Sequence, residues 1–352
     1  RMKKNEMTLA QKIYRKSRLW VILLLVVIFP LIQIPKNGKM VFLADNYLLH
    51  MANISMMFAI LTISLNILSG FTGLMSVGHI AFFGIGAYSA AILTTKAGMP
   101  ILVGFIAAGV ISALFSLILG LPTMRLRGMY FSVATMAFGE IIYQLIKNLE
   151  PLTGGTKGIT KIPSIEIFGI SFKDYRNFYY LMLLGLVLVI VLTQNLKNSR
   201  PGRAMLAIRA NDIAAEAMGV NVVSYKLVAF MASAFFAGIA GAFYAHEMRY
   251  ISPETFASVE SASLLAMMVV GGIGSIPGAI LGGAALTILP EVLRFIGEFR
   301  LVLYGAAVVA IIIFAPKGLG GLITWIDESL SGQRAKGSKH PSEAEAGEEA
   351  QE

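Results

Sequence analysis

Glu140 and Gln144 stand four residues apart in the apolar stretch GMYFSVATMAFGEIIYQLIKN, so on a helix they share one face. A carboxylate set among apolar residues is costly in hydrocarbon, and is expected to face a bundle interior or a wet cavity. Two chemistries fit it, a polar lining for a solute or a proton relay, against the plainer alternative of a hydrogen bond to a neighbouring helix. A second polar set, Asn66, Ser76 and His79, lies in NILSGFTGLMSVGHIAFFGIGAY beside glycines at 70, 73, 78, 84 and 86. Small residues let backbones or a solute approach closely. His79 reads either as a hydrogen-bonded packing residue or as a contact for a passing solute. With four histidines in the chain and no acidic partner beside this one, a metal site is not expected.

Catalytic constellations are missing. Cysteine is absent, which removes thiolate chemistry and disulfides. Neither a Gly-x-Ser-x-Gly elbow nor an H-E-x-x-H helix occurs. Gly154-Gly155-Thr156-Lys157 has the look of a phosphate loop, but Lys157 is followed by Gly158 where that loop needs Ser or Thr. Nothing here hydrolyses ATP, so ATP-driven work would need a separate nucleotide-binding subunit.

The elements that must position these groups are membrane spans. Charged residues make up 14% of the chain and the mean hydropathy is +0.73, values outside the range of a soluble domain. The basic pI near 9.6 comes from loops and the N-terminus and reads as bilayer orientation, not nucleic-acid binding. Apolar segments of roughly membrane length fall at 19–34, 47–69, 76–95, 99–121, 129–146, 178–193, 227–246, 261–274, 278–293 and 301–315. The expected fold is all-α, a polytopic bundle of about ten spans. The spacing permits two inverted repeats, segments two to five and seven to ten. Segments 261–274 and 278–293 are short and joined by Gly271, Gly272, Gly274, Pro277 and Gly278, so full spans and half-helices both remain open.

Arg1 precedes Met2, and the natural start is expected at Met2 or Met7. Residues 1–18 form a basic cytoplasmic N-terminus, and no small-x-small cleavage site follows the first apolar segment, which is expected to stay as a span. Residues 19–322 form the membrane domain. Residues 323–352 form a cytoplasmic tail, expected to be disordered from about 331 because it is rich in Gly, Ser, Ala and Glu.

One loop within the membrane domain is basic: Lys197 to Asn221, KNSRPGRAMLAIRANDIAAEAMGVN, carrying Lys197, Arg200, Arg203 and Arg209. The positive-inside rule places it, with Arg125, Arg127 and both termini, in the cytoplasm. It also encodes a short helix over 212–218, capped by Asn211, favoured by Asp212 in its first turn and ended by Gly219.

The runs LNILSGFTGLMSVGHIAFFGIGAY, LTGGTKGI, RPGRAMLAIRANDIAAEAMGVNV, GGIGSIPGAILGGA and FAPKGLGG, in that order, closely resemble permease subunits of ATP-binding-cassette importers for branched-chain amino acids. The likeness covers residues 45 to 322 and looks closest to the M-type member of the two related permeases that these importers pair. It implies a heterodimeric pore in a bacterial or archaeal inner membrane, two ATPase subunits below it and an extracytoplasmic solute-binding protein above. The chain itself would bind no cofactor, ATP and Mg being used by the ATPases. The loop's ATPase contact would centre on Arg200, Arg203, Arg209, Asn211, Asp212, Ala214, Ala215, Glu216 and Gly219, with small residues suited to a groove on another protein. Asn66, Ser76, His79, Glu140 and Gln144 are the expected pathway residues. An importer of urea or short amides shares the Gly-rich runs and is the nearest alternative. An ion-coupled secondary transporter is a further one; it would need intramembrane charged residues to bind its coupling ion, for which Glu140 alone is thin support.

Overall fold

Helix α1, Asn46–Thr72, is buried without a break from Ala59 to Thr72, and so forms the axis of the bundle rather than one of its walls. A helix apolar on every side has no face for water or lipid. The computed structural model describes residues 26–31, 33–36, 39–42, 45–124, 126, 128–167, 169–315 and 318–321. The expected N-terminal segment 1–18, the tail 323–352, Arg125 and Arg127 lie outside the described residues.

After α1 come α2 (Ile80–Thr95), α3 (Ile101–Thr123), α4 (Met129–Asn148), α5 (Tyr175–Asn198) and α8 (Val222–Met248). Between α5 and α8 lie α6 (Arg200–Ala210) and α7 (Asp212–Ala217). The chain closes with α9 (Ser258–Gly271), α10 (Ile276–Val292) and α11 (Arg300–Phe314). Helix α8 packs on α1, α2 and α3, while α5 and α10 pack on α1. Among the described residues, six helices are long and apolar enough to cross a membrane, and the protein is an integral membrane protein.

Packing uses small residues, as it must where lipid supplies no hydrophobic drive between helices. On α3 the buried positions include Gly104, Ala108, Ser112, Ser116 and Gly120, one every four residues. Leu102, Ile106, Val110, Leu114 and Ile118 form the opposite, exposed stripe. The 258–292 segment is a helical hairpin whose α9 and α10 interlock at Gly271 against Gly278 and at Gly282 against Met267 O. Helix α10 with its following turns, Ile276–Gly297, reaches 22 residues and spanning length. Helix α9, with 14 residues, extends about 21 Å, short of a hydrocarbon core of about 30 Å.

Each expected span from 47–69 onward has a helix at its place, with three corrections. The first segment was expected to be apolar helix through Ile34. Instead helical turns stop at Leu31, and Gln33–Lys36 (β1) pairs antiparallel with Lys39–Phe42 (β2); Pro35 has no N–H to continue a helix. The third expected span, 76–95, begins as a helix only at Ile80, with 73–79 running as non-helical chain. The long 147–176 loop is partly ordered by pairing: Ile159–Thr160 (β3) forms an antiparallel ladder with Tyr250–Ile251, while Glu166–Ile167 (β4) pairs with Ile170–Ser171 (β5).

Candidate coupling and pathway site

The loop between α5 and α8 folds into two helices, each with its own side-chain cap. Ser199 Oγ accepts from Gly202 N at 3.2 Å to start α6, and Asn211 Oδ1 accepts from Ala214 N at 3.0 Å to start α7. Gly219 follows α7 with a φ of +82°, the left-handed conformation that releases a chain from a helix. Asn221 Oδ1 then accepts from Ser224 N at 3.0 Å and starts α8. The Asn211 cap and the Gly219 stop are those expected from sequence. Helix α6 is the addition: Pro201 in its first turn reads as a breaker, yet Pro is tolerated there because that N–H has no intrahelical partner. Gly202, Met205 and Ile208 bury one face of α6.

Helix α7 is tied to α8 by an ion pair, Lys226 Nζ to Asp212 Oδ2 at 2.7 Å, with the lysine side chain 6% exposed. Ala215 is buried against the chain itself, whereas Ala214, Glu216, Ile213 and Met218 are exposed, Met218 at 84%. The free side of α7 is therefore apolar as well as small. Ile213 and Met218 escaped the sequence reading because an apolar residue in an amphipathic stretch is by default a core residue. Arg200 and Arg203 are exposed on α6, and Arg203 Nη1 donates to Asn198 O at 2.7 Å.

Arg209 and Lys197 reach the other way, into the bundle. Arg209 Nη1 donates to Gly70 O at 2.5 Å, a carbonyl in the last turn of α1 that has no intrahelical donor to receive. Lys197 Nζ donates to Gly274 O at 3.3 Å and lies 5.8 Å from the centroid of the Phe71 ring. Asn66 completes the joint: its Oδ1 accepts from Gly274 N at 2.7 Å and its Nδ2 donates to Ser275 O at 3.3 Å. The 272–275 turn of the α9–α10 hairpin is thus held from two sides, by Asn66 of α1 and by Lys197 in the last turn of α5. Gly274 has a φ of +87°, and a side chain there would collide with the Arg209 guanidinium.

The other expected pathway residues divide between interior and surface. His79 is fully buried, with Nε2 2.9 Å from Ser64 Oγ and its ring edge-on to Phe82. Ser64 lies eight residues before the end of α1, about 12 Å by helical rise, so the 73–79 chain climbs back into the bundle before α2 starts. Non-helical backbone at that depth needs polar partners. Thr135 Oγ1 accepts from Val77 N at 3.0 Å, Ser132 Oγ donates to Met75 O at 2.8 Å, and Ser261 Oγ accepts from Ile80 N at 3.3 Å. Ser76 is buried in this segment. Asn66, Ser76 and His79 therefore sit in packed interior.

Glu140 and Gln144 are on the exposed face of α4 rather than in the interior of this chain. Gln144 Nε2 donates to Glu140 Oε1 at 2.8 Å, and Ser258 Oγ donates to Glu140 Oε2 at 2.8 Å. Ser258 at the start of α9 had given no signal in the sequence. The three make a polar patch among Val133, Met136, Ile141 and Leu145, all exposed. No cluster of three metal-ligating side chains occurs among the described residues.

Residues 47–315 match the family described as branched-chain amino acid transport system / permease component. The high-affinity branched-chain amino acid transport system permease protein LivM of Salmonella typhimurium is 35% identical over 291 residues, covering 76% of this chain and 68% of that protein. LivM of Escherichia coli is 34% identical over 301 residues, 79% of this chain and 71% of the relative. The autoinducer 2 import system permease protein LsrC of Yersinia pseudotuberculosis is 27% identical over 208 residues, 56% of this chain and 57% of the relative.

Proposed function

The chain belongs to the branched-chain amino acid transport permease family, and on that premise we propose that it is the membrane-spanning subunit of an ATP-driven importer of leucine, isoleucine and valine. ATP hydrolysis, with its Mg, belongs to separate ATPase subunits that dock on the exposed side of α7, seating Ile213 and Met218. The basic 197–221 loop and both termini lie in the cytoplasm, and the importer works in the inner membrane of a bacterium or archaeon. A second, related permease completes the pathway, and a solute-binding protein delivers substrate from outside.

The mechanism runs through the loop helices. When nucleotide closes the ATPases, α7 moves with them, and the Asp212–Lys226 pair carries that motion into α8. Arg209 carries it to the end of α1, and with Lys197 to the 272–275 turn. Asn66 keeps α1 and that turn together, so the α9–α10 hairpin moves as one piece with the joint. Nucleotide binds the two states with different affinity, and that difference drives the switch. Glu140, Gln144 and Ser258 face the second permease and give the pathway a polar side for the backbone groups of a zwitterion.

The Arg209 bond to Gly70 O is the observation that carries this mechanism, because it joins the loop to the bundle axis without an intermediary. Mass spectrometry of what copurifies with the chain in mild detergent from its host tests the assembly. Two ATPase subunits and a similar permease are expected. Recovery of the chain alone, even after crosslinking at the 197–221 loop, would sink it.

A further inference from the structure

Past Leu286 the chain is fully buried at two places: among the described residues, Gly318 and Gly320 alone. Both belong to the run FAPKGLGG, residues 314–321. Helix α11 just before them has no buried residue, and only Tyr304, Val308 and Ile311 of its side chains lean on the core. After α11 the chain turns, Gly318 N donating to Ala315 O at 2.7 Å, and it is helical again over 318–321. This last turn lies on the turn of the α9–α10 hairpin that Asn66 and Lys197 hold. Gly318 has a φ of +67°, and a Cβ there would stand 2.5 Å from Gly272 N and 2.8 Å from Gly271 C. A Cβ on Gly320 would stand 2.7 Å from Ser275 Oγ and 3.0 Å from Gly278 Cα. Ser275 Oγ is itself the cap of α10, accepting from Gly278 N at 3.1 Å. Backbone therefore rests on backbone, with no side chain between them to absorb a shift. Leu319, between the two glycines, packs on the core. Surfaces packed this closely move together or come apart, and do not deform smoothly.

We propose that the Gly318-Leu319-Gly320 turn is a positioning element for transport: it fastens α11 to the α9–α10 hairpin, so that motion entering through Arg209 and Lys197 reaches the last span. It touches no substrate and acts only through the hairpin. The proposal rests on the importer reading, because it needs a hairpin that nucleotide moves.

Spin-label distances in the purified complex test it, and the lack of cysteine in the chain leaves no background labelling. Leu281 on α10, Ile313 on α11 and Ile118 on α3 are exposed positions for paired Cys substitutions; α3 packs on α2 and α8, away from the joint. Nucleotide is expected to shift the 281–118 distance and to leave the 281–313 distance unchanged. Gly320→Ala is expected to keep the first response and to make the 281–313 distance vary with nucleotide. Its leucine uptake per ATP falls about fivefold or more, the lower end of coupling between separate sites. Leu319→Ala removes packing without forcing a collision, acts in the same direction, and decides the matter if Gly320→Ala fails to assemble. A 281–313 distance that nucleotide already changes in the parent chain, or that stays fixed in the variants with uptake per ATP unaltered, overturns the proposal and leaves the importer reading in place. No nucleotide response of either distance in the parent chain overturns that reading and the proposal with it.

Discussion

Arg209 is a long cationic side chain on an exposed helix that spends its charge on a backbone carbonyl of another helix. The C-terminal end of α1 carries partial negative charge, so the guanidinium satisfies both an orphan carbonyl and the helix dipole. Arg209→Ala removes a charge-assisted bond worth about 1.5–3 kcal/mol and leaves Gly70 O without that donor. We expect ATP hydrolysis to continue while leucine uptake per ATP falls about tenfold, checked by measuring both in one proteoliposome preparation. Equal loss of both activities would mean that Arg209 merely holds the fold. The Asp212–Lys226 pair makes a different prediction because its lysine is buried. Asp212→Ala strands that cation and lowers stability by about 1–3 kcal/mol, whereas adding Lys226→Met to it restores much of the loss. Thermal unfolding of the single and double variants checks this, and strictly additive losses would contradict it.

At the scale of elements, two glycines with left-handed backbone separate local from transmitted effects. Gly219 has a φ of +82° and open space around it. Gly219→Leu therefore costs about 1–2 kcal/mol of backbone strain and no collision, and hydrogen exchange should speed up over 212–221 alone. Gly274→Ala adds a collision with Arg209, so it should speed exchange in the 66–74 segment as well, across the joint. Confinement of the Gly274 effect to its own turn would remove the joint from the mechanism. Ala215 belongs here too: it is buried against its own chain, so Ala215→Asp acts by unseating α7. The spans were legible because an apolar run of membrane length has few other readings, and the Asn211 cap and Gly219 stop follow from local rules. Helix α6 was not, since Pro201-Gly202 looks like a break until its place in a first turn is known. Asn66 was legible as a polar group in an apolar helix, but its partner Gly274 is 208 positions away, beyond any local signal. Ser258 was invisible for the same reason, 118 positions from Glu140.

Over the whole molecule, the polar residues expected along the pathway fall into two sets, buried ones packed inside the chain and exposed ones left for something else. Asn66 and His79 are spent on internal hydrogen bonds, while Glu140, Gln144 and Ser258 interrupt an apolar outer surface. A carboxylate facing hydrocarbon is costly, so this face is expected to be covered by protein that encloses water. Glu140→Ala should leave assembly and ATP hydrolysis intact and reduce uptake about three- to tenfold, read from initial rates; unchanged rates would assign the patch to packing between subunits. Helix α11 has no buried residue in the isolated chain and α7 presents apolar residues at its free side, so the subunit is built to be completed by neighbours. The measurement that bears most directly on that account is uptake of labelled L-leucine into proteoliposomes carrying the complex purified through this chain, with its solute-binding protein outside. Uptake should require ATP and Mg on the side of the 197–221 loop and vanish without them. Leucine accumulation that proceeds without nucleotide, driven by an ion gradient alone, would contradict it.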